Sequence, residues 1–174
     1  IDSSSIGKIS ALIHYTNDFN DCKADLFIEA IKEDIDLKIE LFNNLAKQNE
    51  KSCILASNTS SLSIASIASA CSKPERVLGI HFFNPATIMP LVEIIPGIAT
   101  SKNLAGEIKK LIDGWGKVTV IAKDTPGFIV NRVARNYYNE SQRIVTEGGA
   151  SIEQVDAIMK SAGFKMGPFE LMDL

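Results

Sequence analysis

Residues 77–95 read VLGIHFFNPATIMPLVEII, and this stretch holds two β-rich apolar runs that decide the fold. The runs are Val77–Phe83 and Leu91–Ile95, and the Asn84-Pro85 step between them disfavours helix at residue 84. Each run carries one titratable side chain, His81 in the first and Glu93 in the second. Their spacing through a proline-containing turn permits the two strands to lie side by side with Glu93 facing His81.

Further elements flank this stretch on both sides. Towards the N-terminus the pattern predicts strands over 24–31 and 53–56 and helices over about 33–49 and 63–71. Leu37, Leu41 and Leu45 recur with helical spacing in the first of these helices. Towards the C-terminus it predicts a helix over 104–115 and a last strand over 117–122. This alternation predicts an α/β fold with a mainly parallel sheet and helices on its faces.

After residue 123 the pattern changes. Pro126 suits the first turn of a helix, and apolar residues from Val130 to Val145 follow helical spacing until Gly148-Gly149 ends them. Ser151 caps a further helical pattern, and no strand pattern occurs beyond residue 124. We therefore assign residues 1–123 to the α/β domain and residues 124–174 to the beginning of an all-helical domain.

Composition excludes several function classes. The 174 residues carry a formal net charge of −3, which gives no basic surface for nucleic acid. No apolar run approaches the roughly 20 residues that span a bilayer. The three cysteines lack a CxxC pair or a paired histidine, which predicts free thiols in a reducing compartment such as the cytoplasm, and no metal site. The chain starts without Met and stops within a helical pattern, so we expect a fragment.

The histidines narrow the choice of a catalytic base. His14 lies in an irregular start and favours a surface or capping role, whereas His81 ends a strand of an open α/β sheet, where active sites gather. Glu93 stands within an apolar strand, where an unpaired charge is costly, so it needs a donor. A carboxylate on one imidazole nitrogen fixes the tautomer of a general base. The alternatives are a structural histidine and an edge strand with Glu93 in water.

Two further groups of polar residues lie near this strand end. Asn58-Thr59-Ser60-Ser61 follows a predicted strand and can orient a substrate oxygen, although an ordinary Asx or Ser/Thr turn with a helix cap explains it equally. Asn131 lies early in the long helix and can reach back into an interdomain cleft, or serve structure alone.

Taken in order, these segments resemble the L-3-hydroxyacyl-CoA dehydrogenase family. The matching segments are ADLFIEA at 24–30, SNTSSL at 57–62, GIHFFNP at 79–85, LVE at 91–93, DTPGFIVNR at 124–132 and MGPFE at 166–170. GWGK at 114–117 and NRVAR at 131–135 are most similar to the 3-hydroxybutyryl-CoA and 3-hydroxyadipyl-CoA members. The resemblance runs from about residue 24 to the end of the chain.

The resemblance implies a Rossmann-like NAD domain joined to a helical domain that dimerises, with an acyl-CoA substrate whose 3-hydroxyl is oxidised by NAD⁺. It assigns catalysis to His81 as the base, Glu93 as its orienting partner, Ser60 at the substrate oxygen and Asn131 on the helical side. By the same resemblance the cofactor-binding residues are Glu33, Lys38, Asn58, Ser60 and Asn84. The substrate-binding residues are Ser60, Lys38 and Asn131.

The chain departs from the family pattern in two respects, and one is that we expect most of the helical domain to be missing from it. A G-x-G-x-x-G turn and the acidic residue that binds the adenosine ribose do not occur in it, so NAD and NADP are not distinguished. We therefore expect these residues alone to be weakly active or inactive. Two alternative functions remain. One is a non-catalytic protein of the same fold, since lens lambda-crystallin also resembles this family. The other is a β-hydroxyacid dehydrogenase with a lysine base. The second is weakened because no lysine stands early in the long helix.

Overall fold

The computed structural model describes residues 3–49 and 52–173. Its sheet has the strand order β1-β2-β3-β4-β5. The strands are β1 (Leu26–Glu29), β2 (Ile54–Ser57), β3 (Val77–Phe82), β4 (Leu91–Pro96) and β5 (Val118–Ile121). Neighbouring strands run parallel, except that β4 is antiparallel to β3. The predicted α/β class with a mainly parallel sheet is therefore confirmed.

Helices pack on both faces of this sheet, and further helices precede and follow it along the chain. They are α1 (Ser3–Ser10), α2 (Ile35–Gln48), α3 (Ile64–Ser69), α4 (Leu104–Gly114), α5 (Val130–Thr146), α6 (Ile152–Ser161) and α7 (Pro168–Met172). Two short 3-10 helices cover Phe19–Asp21 and Pro74–Arg76. The sequence did not predict α1, which lies in the start that we expected to be irregular; His14 follows it in an exposed segment. Among the described residues no helix is both long and apolar enough to cross a bilayer.

The predicted leucine stripe of α2 is confirmed at Leu45, which is buried, and at Leu41, which packs against the core, but not at Leu37. Leu37 is 44% exposed, whereas Phe42 and Leu45 are buried together with the side chain of Lys38. Lys38 forms an ion pair with Glu29 at the end of β1. This buried contact places the Lys38 side of the helix, rather than the Leu37 side, against the sheet.

Apolar clusters lie on the two faces of the sheet. One contains Phe42 of α2, Ile64 and Ile67 of α3 and Ile95 of β4, and the other contains Leu78 and Ile80 of β3 with the buried side of α4. Gly79 of β3 is closely covered, since a Cβ there would lie 3.0 Å from Ile64 and Ile95. A larger residue would push α3 away from the sheet at the strand that carries His81.

The connection from β5 to α5 is a tight turn. The prediction that Pro126 occupies the first helical turn is wrong, because α5 begins at Val130. Gly127 has φ +78° and Phe128 has φ +46°, both in the left-handed region that a helix excludes. Phe128 is nevertheless buried, so the turn directs its ring into the core beneath α5. From residue 124 onward the described residues form helices, and the division at 123/124 into two domains stays a prediction.

Candidate active site

His81 and Glu93 meet where β3 and β4 pair. The antiparallel register places the two residues directly opposite each other. The Nδ1 atom of His81 lies 2.7 Å from Oε2 of Glu93, and the Glu93 residue is 0% exposed. The predicted contact is present, and the edge-strand alternative is wrong because β4 lies between β3 and β5.

The second oxygen of Glu93 holds the beginning of α5. Its Oε1 accepts hydrogen bonds from the backbone N–H groups of Ile129 and Val130, each at 3.0 Å. A carboxylate is favourable at a helix N-terminus, where free N–H groups and the helix dipole attract negative charge. The Glu93 side chain therefore orients His81 and also holds the N-terminus of α5 against the sheet.

The surroundings of His81 leave one nitrogen for chemistry. An ionised carboxylate only accepts hydrogen bonds, so Nδ1 carries the hydrogen, and in the neutral ring Nε2 keeps its lone pair. The rings of Phe83 and Phe128 pack against the imidazole with centroid distances of 4.6 Å and 5.6 Å. Within the described residues Nε2 has no hydrogen-bond partner. The arrangement suits an imidazole that takes up or releases a proton at Nε2.

The loop after β2 lies at the same end of the sheet. Asn58 accepts a hydrogen bond from the backbone N–H of Phe82, the residue after His81, at 2.8 Å. Ser60 is exposed, and among the described residues its hydroxyl has no protein partner. The side-chain amide of Asn131, on α5, reaches the carbonyl of Ser60 at 3.5 Å. The structure thus brings Asn58, Ser60 and Asn131 together beside the His81–Glu93 pair.

Glu33 holds this loop from the other side. Its Oε1 accepts from the Thr59 hydroxyl, from the Ser60 backbone at 3.2 Å and from the Ser61 hydroxyl at 3.1 Å. Burial alone raises the pKa of the Glu33 carboxyl, but hydrogen bonds from two hydroxyls and from the Lys38 ammonium hold it below its usual value. Glu33 is therefore an ionised acceptor at the edge of the site.

Lys38 lies deeper than the prediction of a ligand-binding residue suggests. Its ammonium is 2.6 Å from Oε1 of Glu29 and 3.2 Å from Oε2 of Glu33, and its side chain is 1% exposed. A third contact, at 3.5 Å, reaches the carbonyl of Ile31. These contacts engage all three ammonium hydrogens with protein acceptors. In this structure Lys38 holds Glu33 in place, and its direct contact with a ligand stays a prediction.

Asn84 occupies a different part of the same region. It is exposed, two residues past the end of β3, and the Asn84-Pro85 peptide bond is cis. The loop behind it is held by Lys117, whose ammonium contacts the carbonyl of Met89 at 2.8 Å and that of Ala86. Among the described residues Asn84 makes no hydrogen bond with the Ser60 loop, and its predicted cofactor role rests on its position alone.

Glu29 is a supporting residue of the site that the sequence did not predict. Glu29 ends β1, is 4% exposed, and bonds Lys38 through Oε1 and the Ser57 hydroxyl at 2.7 Å through Oε2. The available signal was a carboxylate at the end of an apolar run with a lysine in the following helix. That signal resembles an ordinary surface ion pair until burial is known. Within the described part of the chain no cluster of His, Cys, Asp or Glu side chains is suited to a metal ion.

Comparison with known proteins places these features in a family. A family model of the 3-hydroxyacyl-CoA dehydrogenase NAD binding domain matches residues 1–125, and one of the 3-hydroxyacyl-CoA dehydrogenase C-terminal domain matches residues 127–174. The chain is 49% identical over 152 residues to 3-hydroxyadipyl-CoA dehydrogenase of Escherichia coli K12, covering 87% of this chain and 32% of that protein. It is 47% identical over 150 residues to human mitochondrial hydroxyacyl-coenzyme A dehydrogenase, covering 86% of this chain and 48% of that protein.

Solved structures agree with the sequence relatives. 3-Hydroxybutyryl-CoA dehydrogenase of Escherichia coli K12 superposes with a TM-score of 0.94 at 42% identity, over 99% of this chain and 37% of that chain. (S)-3-hydroxybutyryl-CoA dehydrogenase of Ralstonia eutropha superposes with a TM-score of 0.90 at 35% identity, over 97% of this chain and 60% of that chain. The chain therefore spans from about a third to a half of the length of the two sequence relatives.

Proposed function

This chain belongs to the 3-hydroxyacyl-CoA dehydrogenase family, and from that premise we propose that it carries the catalytic centre of an NAD⁺-dependent 3-hydroxyacyl-CoA dehydrogenase. The reaction is oxidation of the 3-hydroxyl of an (S)-3-hydroxyacyl-CoA to the 3-ketoacyl-CoA. The observation that carries the proposal is the buried contact of 2.7 Å between His81 Nδ1 and Glu93, which leaves Nε2 as a base.

His81 takes the hydroxyl proton at Nε2 as the carbon–oxygen double bond forms. Glu93 stabilises the resulting imidazolium through Nδ1 and keeps the ring in the basic tautomer. A positioned base of this kind contributes roughly 10²- to 10⁴-fold in rate. In the reverse direction the same imidazolium returns the proton to the ketone oxygen.

Ser60 and Asn131 orient the substrate in this proposal. The Ser60 hydroxyl is exposed beside the dyad and can hydrogen-bond the reacting oxygen. Asn131 lies on α5, and its side-chain amide contacts the carbonyl of Ser60. In this proposal the same amide side chain also contacts the substrate. Both residues therefore contribute position rather than proton transfer.

In this proposal residues that follow β1, β2 and β3 bind the cofactor, because open α/β sheets bind ligands at the carboxyl ends of their strands. Glu33, Asn58 and Asn84 fit this role, because the Glu33 carboxylate is 38% exposed and ionised and Asn84 is exposed. When bound, NAD⁺ supplies the acceptor for hydride from C3 of the substrate. The chain's own part is to hold the hydroxyl and remove its proton.

The names of the relatives favour a short acyl chain, and we propose 3-hydroxybutyryl-CoA or 3-hydroxyadipyl-CoA as the substrate. A homodimer is supported by exposed apolar side chains on the helices, such as Val133 at 69% and Ile158 at 62%. The net charge of −3 argues against a nucleic-acid partner. Three free cysteines fit a reducing compartment such as the cytoplasm.

The test is the rate of NADH formation from 3-hydroxybutyryl-CoA by protein expressed from the complete reading frame that contains this chain. His81→Gln lowers kcat by roughly 10²- to 10⁴-fold, because it removes the positioned base at Nε2. His14→Gln is the matched control, since His14 is exposed and lies outside the site. Equal turnover by wild type and His81→Gln refutes the base assignment. A folded wild type without turnover favours the non-catalytic, crystallin-like alternative.

A further inference from the structure

Asp124 binds the beginning of α3 from the connection between β5 and α5. Its Oδ1 accepts from the Ile64 backbone N–H at 2.9 Å, and its Oδ2 accepts from the Ala65 N–H at 2.7 Å and the Ser63 hydroxyl at 3.0 Å. Ser63 also caps α3 with its own side chain, which accepts from the Ser66 N–H. Asp124 is therefore a second cap, supplied from a distant part of the chain.

The far end of the same connection is held by Glu93. That carboxylate accepts the N–H groups of Ile129 and Val130 and orients His81 with its other oxygen. Two carboxylates thus fix the two ends of residues 124–130. Asp124 attaches one end to α3, and Glu93 attaches the other to β4.

Little freedom remains between these two attachments. The N–H of Phe128 donates to the carbonyl of Thr125 at 2.9 Å, and Gly127 and Phe128 both have positive φ. The Phe128 ring is buried and packs edge-on against His81 at 5.6 Å. A short, constrained turn therefore connects Asp124 to the ring that packs on the imidazole and to the two amides that Glu93 binds.

We propose that Asp124 is a positioning residue for the reaction. It keeps the turn in register, so that Glu93 Oε1 stays on the two amides and Glu93 Oε2 stays on His81. It acts through Glu93 and Phe128 and does not itself contact His81. The kinetic consequence rests on the proposed function, whereas the effect on the His81–Glu93 hydrogen bond does not.

Asp124→Asn is the decisive variant. The asparagine amide keeps one acceptor oxygen, but its NH₂ group faces N–H donors at the start of α3 and cannot accept their hydrogen bonds. Displacements of about 1 Å at a reacting group cost up to about 10²-fold. We therefore expect kcat to fall roughly 10- to 100-fold, while the KM for NAD⁺ changes less than about twofold. Unchanged kcat in a folded Asp124→Asn protein overturns the proposal.

The second readout is the proton NMR resonance of the hydrogen between His81 Nδ1 and Glu93, which needs no turnover. Asp124→Asn shifts or broadens this resonance. Asp156→Asn is the matched control, since Asp156 also accepts two helix N–H groups, at the start of α7, and leaves the resonance in place. An unchanged resonance in both variants overturns the proposal.

A milder variant covers the case in which Asp124→Asn does not fold. Ser63→Ala removes one donor to Asp124 and the cap that Ser63 itself gives α3, and it leaves the two backbone contacts of Asp124 in place, so it moves the His81 resonance in the same direction by a smaller amount. No movement in Ser63→Ala then overturns the proposal. The two failures are distinguishable: an active His81→Gln refutes the proposed function, whereas a silent Asp124→Asn refutes only the role of Asp124.

Discussion

Glu93→Gln tests how the carboxylate works, because it preserves shape and replaces one acceptor oxygen by an NH₂ donor. In the native protein one oxygen accepts from His81 and the other accepts from the N–H groups of Ile129 and Val130. All three partners are donors, and a glutamine offers a single oxygen. The substituted side chain must therefore choose which partners it satisfies.

The costs of the two orientations differ. With the amide oxygen towards His81, the NH₂ faces two buried backbone donors, and each stranded donor costs about 1–3 kcal/mol. With the oxygen towards Ile129 and Val130, the NH₂ donates to Nδ1 and no donor is stranded. The second orientation prevails, and it forces the hydrogen of His81 onto Nε2. A nitrogen that already carries hydrogen cannot accept the substrate proton.

The expected loss in kcat is roughly 10³- to 10⁴-fold, as when the buried aspartate of a Ser-His-Asp triad becomes asparagine. This loss lies within the range expected for His81→Gln, because the three-donor geometry removes the lone pair of Nε2 that the base needs. Folding stability changes far less, by about 1–2 kcal/mol, because every hydrogen bond is kept but loses its charge assistance.

The assay measures NADH formation at saturating substrate together with the urea midpoint of unfolding. Glu107→Gln, an exposed residue of α4, is the matched control and keeps wild-type turnover. Turnover of Glu93→Gln above about a tenth of wild type refutes the tautomer argument. A large loss of stability in Glu93→Gln with near-normal activity also refutes it, because this result shows that the amide oxygen still faces His81.

Three further perturbations test the surrounding structure. Lys38→Met leaves the buried Glu29 carboxylate without its cation and lowers the free energy of unfolding by about 3–5 kcal/mol in urea titration. Because the pKa of Glu33 is lowered from 4.5 on folding, its stabilisation is present above pH 4.5 and is lost as pH falls through the folded pKa. Glu33→Gln therefore flattens the acid limb of the stability profile. Gly167→Ala places a Cβ 2.2 Å from Oδ1 of Asp156 and lowers the thermal midpoint by displacing the cap of α7.

Lys38→Met and Gly167→Ala each have a matched control. Lys102→Met removes an exposed lysine, and we expect a change within about 0.5 kcal/mol. Gly106→Ala, in the open interior of α4, raises stability by about 0.5–1 kcal/mol. A Lys38→Met protein as stable as Lys102→Met, an acid limb that Glu33→Gln leaves unchanged, or equal effects of the two glycine variants contradicts the corresponding argument.

The pairing of His81 with Glu93 was predictable from sequence. One polar residue in each of two apolar runs, joined by a proline-containing turn, indicates the register, because a slip by one residue would place His81 and Glu93 on opposite faces of the sheet. Ser60 and Asn131 required the resemblance to a family, since a serine-rich turn and a helical asparagine are common structural features.

Other features depend on three-dimensional context. The buried face of α2 includes Lys38, because its ammonium pairs with the buried Glu29 carboxylate. The spacing of hydrophobic residues does not predict a buried ion pair. Pro126 suits a helix start when only the local sequence is considered. The positive φ values of Gly127 and Phe128 prevent a helix there, and α5 begins only where Glu93 accepts its first N–H groups. The caps by Asp124 and Glu93 join distant segments, and local patterns carry no signal for them.

The protonation state of the His81 ring tests the central claim most directly. Nitrogen NMR of the isotopically labelled chain, at a pH where the imidazole is neutral, distinguishes the two tautomers. We predict hydrogen on Nδ1 and a bare Nε2, with the Nδ1 hydrogen protected from exchange by Glu93. A ring that carries its hydrogen on Nε2 contradicts the assignment of His81 as the base.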